Sequence, residues 1–168
     1  MNKNFWNKAA LYGLLLAFVT IIVLLLQSVV TLGATASMVI NLVKLIVTGT
    51  LLYYFMKEYG KEVETYAYGD AFRFGYAVSF FSSIVALAYY FIHLYFLFPD
   101  TMDTMTSVMA EALKSTPETA EMDAGSLLNR LPVITCISLF IYYNIIGLIW
   151  SAALAGGAKH KDPSSPFV

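Results

Sequence analysis

The sequence predicts an all-α integral membrane protein, a four-helix bundle with a short amphipathic helix in the loop between the third and fourth spans. Three observations carry that expectation. Of 168 residues, 59% are hydrophobic and only 12% charged, with a mean hydropathy of +0.70, whereas a soluble domain carries about 25% charged residues. Four apolar runs are each long enough to cross a hydrocarbon core about 30 Å thick, which needs roughly 20 helical residues at about 1.5 Å apiece. Within those runs the only Asp, Glu, Lys or Arg is Lys44.

The spans read as Ala9 to Leu32, Ser37 to Met56, Phe74 to Phe98 and Pro132 to Ala155. They form a single membrane domain with a loop over 99–131 and a loosely ordered tail over 156–168. The first run follows Lys3 and Lys8 and precedes the small residues Ala34, Thr35 and Ala36, as in a signal peptide. It is longer than the roughly 7 to 15 apolar residues of a signal segment, so it reads as a retained helix. Basic residues favour the cytoplasmic side. Lys3, Lys8, Lys57, Lys61, Arg73, Lys159 and Lys161 fall on one side, against Lys114 and Arg130 on the other, so both termini are expected in the cytoplasm.

Helices in lipid associate through small residues and interhelical hydrogen bonds. Each run has such a stripe at three- and four-residue steps. The stripes are Gly13, Ala17, Thr20, Gln27 and Thr31; Ser37, Asn41, Lys44 and Thr48; Gly75, Ser79, Ser82, Ala86, Tyr89 and His93; and Asn144, Gly147, Ser151 and Ala155. Counting inward from the outer ends brings Gln27, Asn41, Lys44, His93 and Ser138 to similar depth, where they could meet as a ligand or lipid site. A lysine inside the bilayer costs about 2.5 to 3.5 kcal/mol on insertion scales and so points to function. Lying seven residues from its span's start, Lys44 has three outcomes open to it. It snorkels to the interface, it is satisfied by polar neighbours, or it pairs with an external anion such as a lipid phosphate.

In the connections, Asp70 suits a helix start and Arg73 lies within pairing distance on the same face. With Tyr66, Tyr68, Phe72 and Phe74 they read as an interfacial anchor. In the outer loop Asp100 caps a helix that carries Met102, Met105, Met109 and Leu113 on one face before Pro117 interrupts it. That face suits covering the bundle, resting on the membrane or receiving a partner helix.

A net charge of −1 leaves no basic surplus for nucleic acid. The lone Cys136 makes no intrachain disulfide or zinc site, and His93 and His160 fall on opposite sides of the membrane. No metal-ligand spacing, cofactor motif or nucleophile with a base is present, so no cofactor and no enzymatic activity are expected.

Three segments carry a family resemblance: Lys8-Ala9-Ala10-Leu11-Tyr12-Gly13, Tyr68-Gly69-Asp70-Ala71-Phe72-Arg73-Phe74-Gly75, and Gly147-Leu148-Ile149-Trp150-Ser151-Ala152-Ala153 with Lys159 after it. The chain resembles, over nearly its whole length, the small membrane proteins of Bacteroidota grouped as domain of unknown function 4199. The resemblance implies four helices, a bacterial inner-membrane location and a setting near membrane-associated glycosyltransferases. The expected function is a non-catalytic accessory or scaffold subunit that supports an envelope glycan or lipid-linked glycosyltransferase system. Its partners would be membrane lipids and a membrane protein, such as a glycosyltransferase or a second copy of the chain. The rival expectation is a small carrier or lipid-handling protein that binds an anionic headgroup near Lys44.

Overall fold

The computed structural model describes residues 4–30, 33–115 and 124–159. Thr31, Pro117, Lys3, His160, Lys161 and the tail beyond 159 lie outside the described residues. The elements are α1 (Phe5–Val29), α2 (Ala34–Gly60), α3 (Tyr68–Ile92), a π-helical turn (His93–Leu97), α4 (Pro99–Ser115) and α5 (Ala124–Ala158). Four of these segments are long and apolar enough to cross a membrane: Phe5–Val29, Thr35–Gly60, Tyr68–Leu97 and Arg130–Ala158. The protein is thus an all-helical, multi-pass membrane protein.

Most helices run past the apolar runs that predict them. A helix keeps its backbone hydrogen bonds whether its side chains face lipid or headgroups. Lys57 and Glu58 therefore sit in the last turns of α2, and Asp70 and Arg73 in the first turns of α3. The α5 helix likewise begins ahead of Pro132, which lies inside it. The third span departs from a plain α-helix near its end. There the Phe98 amide donates to the His93 carbonyl five residues back, at 2.8 Å, closing a π turn just ahead of Pro99.

The chain divides into two compact units. The first comprises residues up to Ala86 together with those from Tyr142 onward, so α1, α2, most of α3 and the second half of α5 pack as a four-helix bundle. Small residues of the first, third and fourth stripes face inward as the sequence predicts, whereas in the second Ser37, Lys44 and Thr48 are only partly covered and Asn41 is exposed. Gly13, Ala17, Thr20, Gly75, Ser79, Ser82, Gly147, Ser151 and Ala155 are all buried. Two glycines set how closely the helices approach. A Cβ on Gly13 would stand 2.6 Å from Phe81 Cβ and 2.8 Å from the Val78 carbonyl oxygen, and one on Gly147 would stand 2.5 Å from Ser79 Cβ. The α3 helix is in backbone-level contact with both α1 and α5, the arrangement that small residues permit in lipid.

Near the start of α1 and the end of α2 the bundle is filled by rings. Phe74 is fully buried, stacks on Tyr59 at 3.9 Å between centroids, and meets the edges of Phe5 and Tyr12. Tyr66 is buried against Tyr59. Tyr66 and Phe74 are thus core residues and not part of the expected belt at the headgroups. Because α3 starts at Tyr68, Phe74 lies well inside the helix and turns toward α1 and α2. Tyr68 is exposed and donates to the Ala152 carbonyl at 3.0 Å. The anticipated pairing of Asp70 with Arg73 is also corrected: both are exposed and neither bridges to the other. Among the described residues the ion pairs are Lys8 with Glu62, which ties α1 to the segment after α2, and Lys61 with Glu58.

Burial holds the Tyr66 phenol above its ordinary value of 10.0, with Tyr59 and Asp70 adding smaller effects in the same direction. A phenol whose folded value is raised favours the fold fully below the unfolded value. Above about pH 10 only the unfolded chain releases the proton, so stability falls. We expect the unfolding midpoint in detergent to decline above about pH 10 and Tyr66→Phe to flatten that decline. An identical decline in the variant would exclude Tyr66 as its source.

The second unit spans Leu87–Ile141. His93 is buried there, with its Nδ1 3.3 Å from the Tyr89 hydroxyl and its ring 4.7 Å from that of Phe98. Along α4, Met102 and Met105 are partly covered and Tyr90 Oη lies 4.0 Å from Met105 Sδ, while Met109 is exposed. Leu113 belongs to α4, but its side chain is outside the described residues.

Candidate functional site

A cavity of about 80 Å³ lies inside the first unit, lined by side chains of α1, α2, α3 and α5. Lys44 is one of them. In α2, which begins at Ala34, Lys44 lies ten residues in, about 15 Å from the start of the helix. That is deeper than the seven residues expected from the sequence and beyond the reach of a four-carbon stem back to the helix start. Its side chain is part of the cavity wall.

Opposite Lys44 stand hydroxyl groups that the α-helical period brings to one face. Thr20 comes from α1, while Ser79 and Ser82 come from consecutive turns of α3. These three residues are 6%, 6% and 8% exposed, and among the described residues none has a hydrogen-bond partner. The hydroxyls of Thr48 and Ser83, also at the wall, are already engaged. Thr48 donates to the Lys44 and Leu45 carbonyls of its own helix, and Ser83 donates to Phe80 O while accepting from Asn144 Nδ2 at 3.1 Å. The cavity thus presents the Lys44 ammonium with the hydroxyls of Thr20, Ser79 and Ser82, and no carboxylate lines it. All four groups can donate, which is the chemistry of an anion site.

The remaining sequence candidates lie elsewhere. Asn41 is exposed and turns its amide onto the Ser37 carbonyl at 3.0 Å, and Ser138 is exposed. Gln27 does not line the cavity; its Nε2 is buried without a partner among the described residues. His93 belongs to the second unit, among aromatic rings. Within the first unit, Gln27 and Asn41 do not join Lys44 at the cavity, because equal depth does not imply a shared face: Asn41 sits three residues before Lys44 yet turns to its own backbone. Tyr142, Tyr143 and Trp150 were missed as lining residues. Aromatic side chains in a lipid-facing sequence give no signal that separates wall from lipid contact. Ser83 was legible only as the neighbour of Ser82.

The family model described as protein of unknown function (DUF4199) matches residues 9–159, most of the chain. The chain belongs to this family. No curated protein and no solved structure matches it. The DUF4199 match takes in every residue that lines the cavity, from Leu16 to Trp150. The segments that carried the resemblance contain Gly13, Gly75 and Gly147, which are contact points between the helices of the first unit.

Proposed function

We propose that this DUF4199 protein binds an anionic headgroup beside Lys44, as a small carrier or lipid-handling membrane protein. The observation that carries the reading is the meeting of Lys44 with the unpartnered, buried Thr20, Ser79 and Ser82 around one cavity. A partly covered ammonium inside a membrane is tolerable when an anion and further hydrogen bonds compensate its lost hydration, and here no residue of the wall supplies the anion. The role is one of binding and not catalysis. We infer from the distribution of Lys and Arg that both termini face the cytoplasm, and from the family resemblance that the membrane is a bacterial inner one. An accessory subunit beside a glycosyltransferase draws on the exposed Val108 and Met109 of α4, and a headgroup site would suit such a partner's lipid-linked substrates.

The test is ligand-linked stability. A short-chain phosphatidylglycerol, added at about a hundred times its dissociation constant to purified full-length protein, should stabilise the fold by about 2.7 kcal/mol. Phosphatidylcholine of the same chain length should not. Equal shifts with both lipids, or none with either, would overturn the proposal.

A further inference from the structure

Resting on that reading, we infer that the ligand is a singly anionic phosphate lipid that reaches the cavity sideways from the bilayer, between α2 and α5, and leaves its acyl chains outside. The walls of the cavity differ in exposure. Its α1 and α3 side is closed, with Thr20, Ser79, Ser82 and Ser83 all buried. On the α2 and α5 side Lys44 and Tyr143 are only partly covered and Tyr142 is 53% exposed. Trp150 rests against Gly49, where a Cβ would stand 3.2 Å from the indole, so the two helices close there. The mouth is therefore on the Lys44 side of that contact. The outer surfaces of the same helices are apolar, with Val47 and Ile145 exposed. A water-borne anion would have to cross hydrocarbon to reach that mouth, whereas a lipid arrives with its anion already joined to chains that suit the surface.

Size and charge argue the same way. Pockets that enclose a whole small-molecule ligand run to about 300 to 1,000 Å³. A cavity near 80 Å³ takes a headgroup and little more. One lysine matches one negative charge, and the three hydroxyls remain to donate to the other oxygens.

The experiment uses the full chain with Trp6→Phe, which leaves Trp150 as the only indole, in phosphatidylcholine vesicles. Phosphatidylglycerol with brominated chains, a contact quencher, is titrated against phosphatidylcholine brominated in the same way. The expected result is saturable excess quenching of Trp150 by the anionic lipid, lost in Lys44→Met. In Thr20→Val, a milder change that guards against a folding defect, the apparent affinity should fall about tenfold. Inorganic phosphate, added to unbrominated vesicles, should leave Trp150 emission unchanged. If phosphate alters that emission in a Lys44-dependent way and the two brominated lipids quench alike, access from the bilayer is overturned and the anion site stands. If neither probe gives a Lys44-dependent signal, or excess quenching survives in Lys44→Met, both readings fall.

Discussion

Replacing Gly13 with alanine is expected to destabilise the protein by about 2 kcal/mol, whereas the same change at Gly156 should stabilise it by about 0.5 to 1 kcal/mol. Both glycines lie inside helices, where alanine is intrinsically the better residue. Packing decides the sign. At Gly13 the added methyl meets Phe81 Cβ at 2.6 Å, the Val78 carbonyl at 2.8 Å and the Ser82 nitrogen at 3.0 Å, all on or next to the backbone of α3. None of these atoms can swing aside, so α1 and α3 must separate, at the cost typical of an overpacked core. At Gly156 nothing lies within 4 Å. Reversible unfolding in bicelles would show the opposed shifts. Two shifts of the same sign would mean that the α1–α3 contact is not as close as the structure has it.

Lys44→Met should raise stability in lipid-free detergent by about 2 to 3 kcal/mol while removing anionic lipid binding. The gain reflects the insertion cost of an intramembrane lysine, which methionine of similar length does not carry. Because the ligand stabilises only the protein that binds it, added phosphatidylglycerol should narrow the gap between wild type and variant. A gap that is constant at every lipid concentration would identify Lys44 as a structural residue. Loss of stability in the variant would mean that the ammonium holds the bundle together, contrary to a cavity wall that offers it no acid.

These two results bear on what the sequence can and cannot disclose. Lipid imposes strict demands, so the four spans and the inward stripes of three of them were legible: Gly13, Thr20, Ser79, Ser82, Gly147 and Ser151 lie where the helical period puts them. Helix ends were less legible. Apolar character stops at the headgroups while the hydrogen-bonded backbone continues, so Phe74, well inside α3, reads as a surface anchor in the sequence and is core in the structure, as is Tyr66 just before that helix. Lys44 was correctly singled out as costly, but its companions were chosen by depth. The hydroxyls that share its cavity come from α1 and α3, and only the packing of those helices selects them over Asn41 and Ser138. The π turn at His93–Leu97 has no signal within its own five residues, although Pro99 stands just beyond it.

The most direct test of the account is native mass spectrometry of the full-length protein released from vesicles of equal phosphatidylglycerol and phosphatidylcholine content. The account predicts one retained phosphatidylglycerol per chain and none on Lys44→Met. Equal retention of the two lipids, or undiminished retention by the variant, would contradict it.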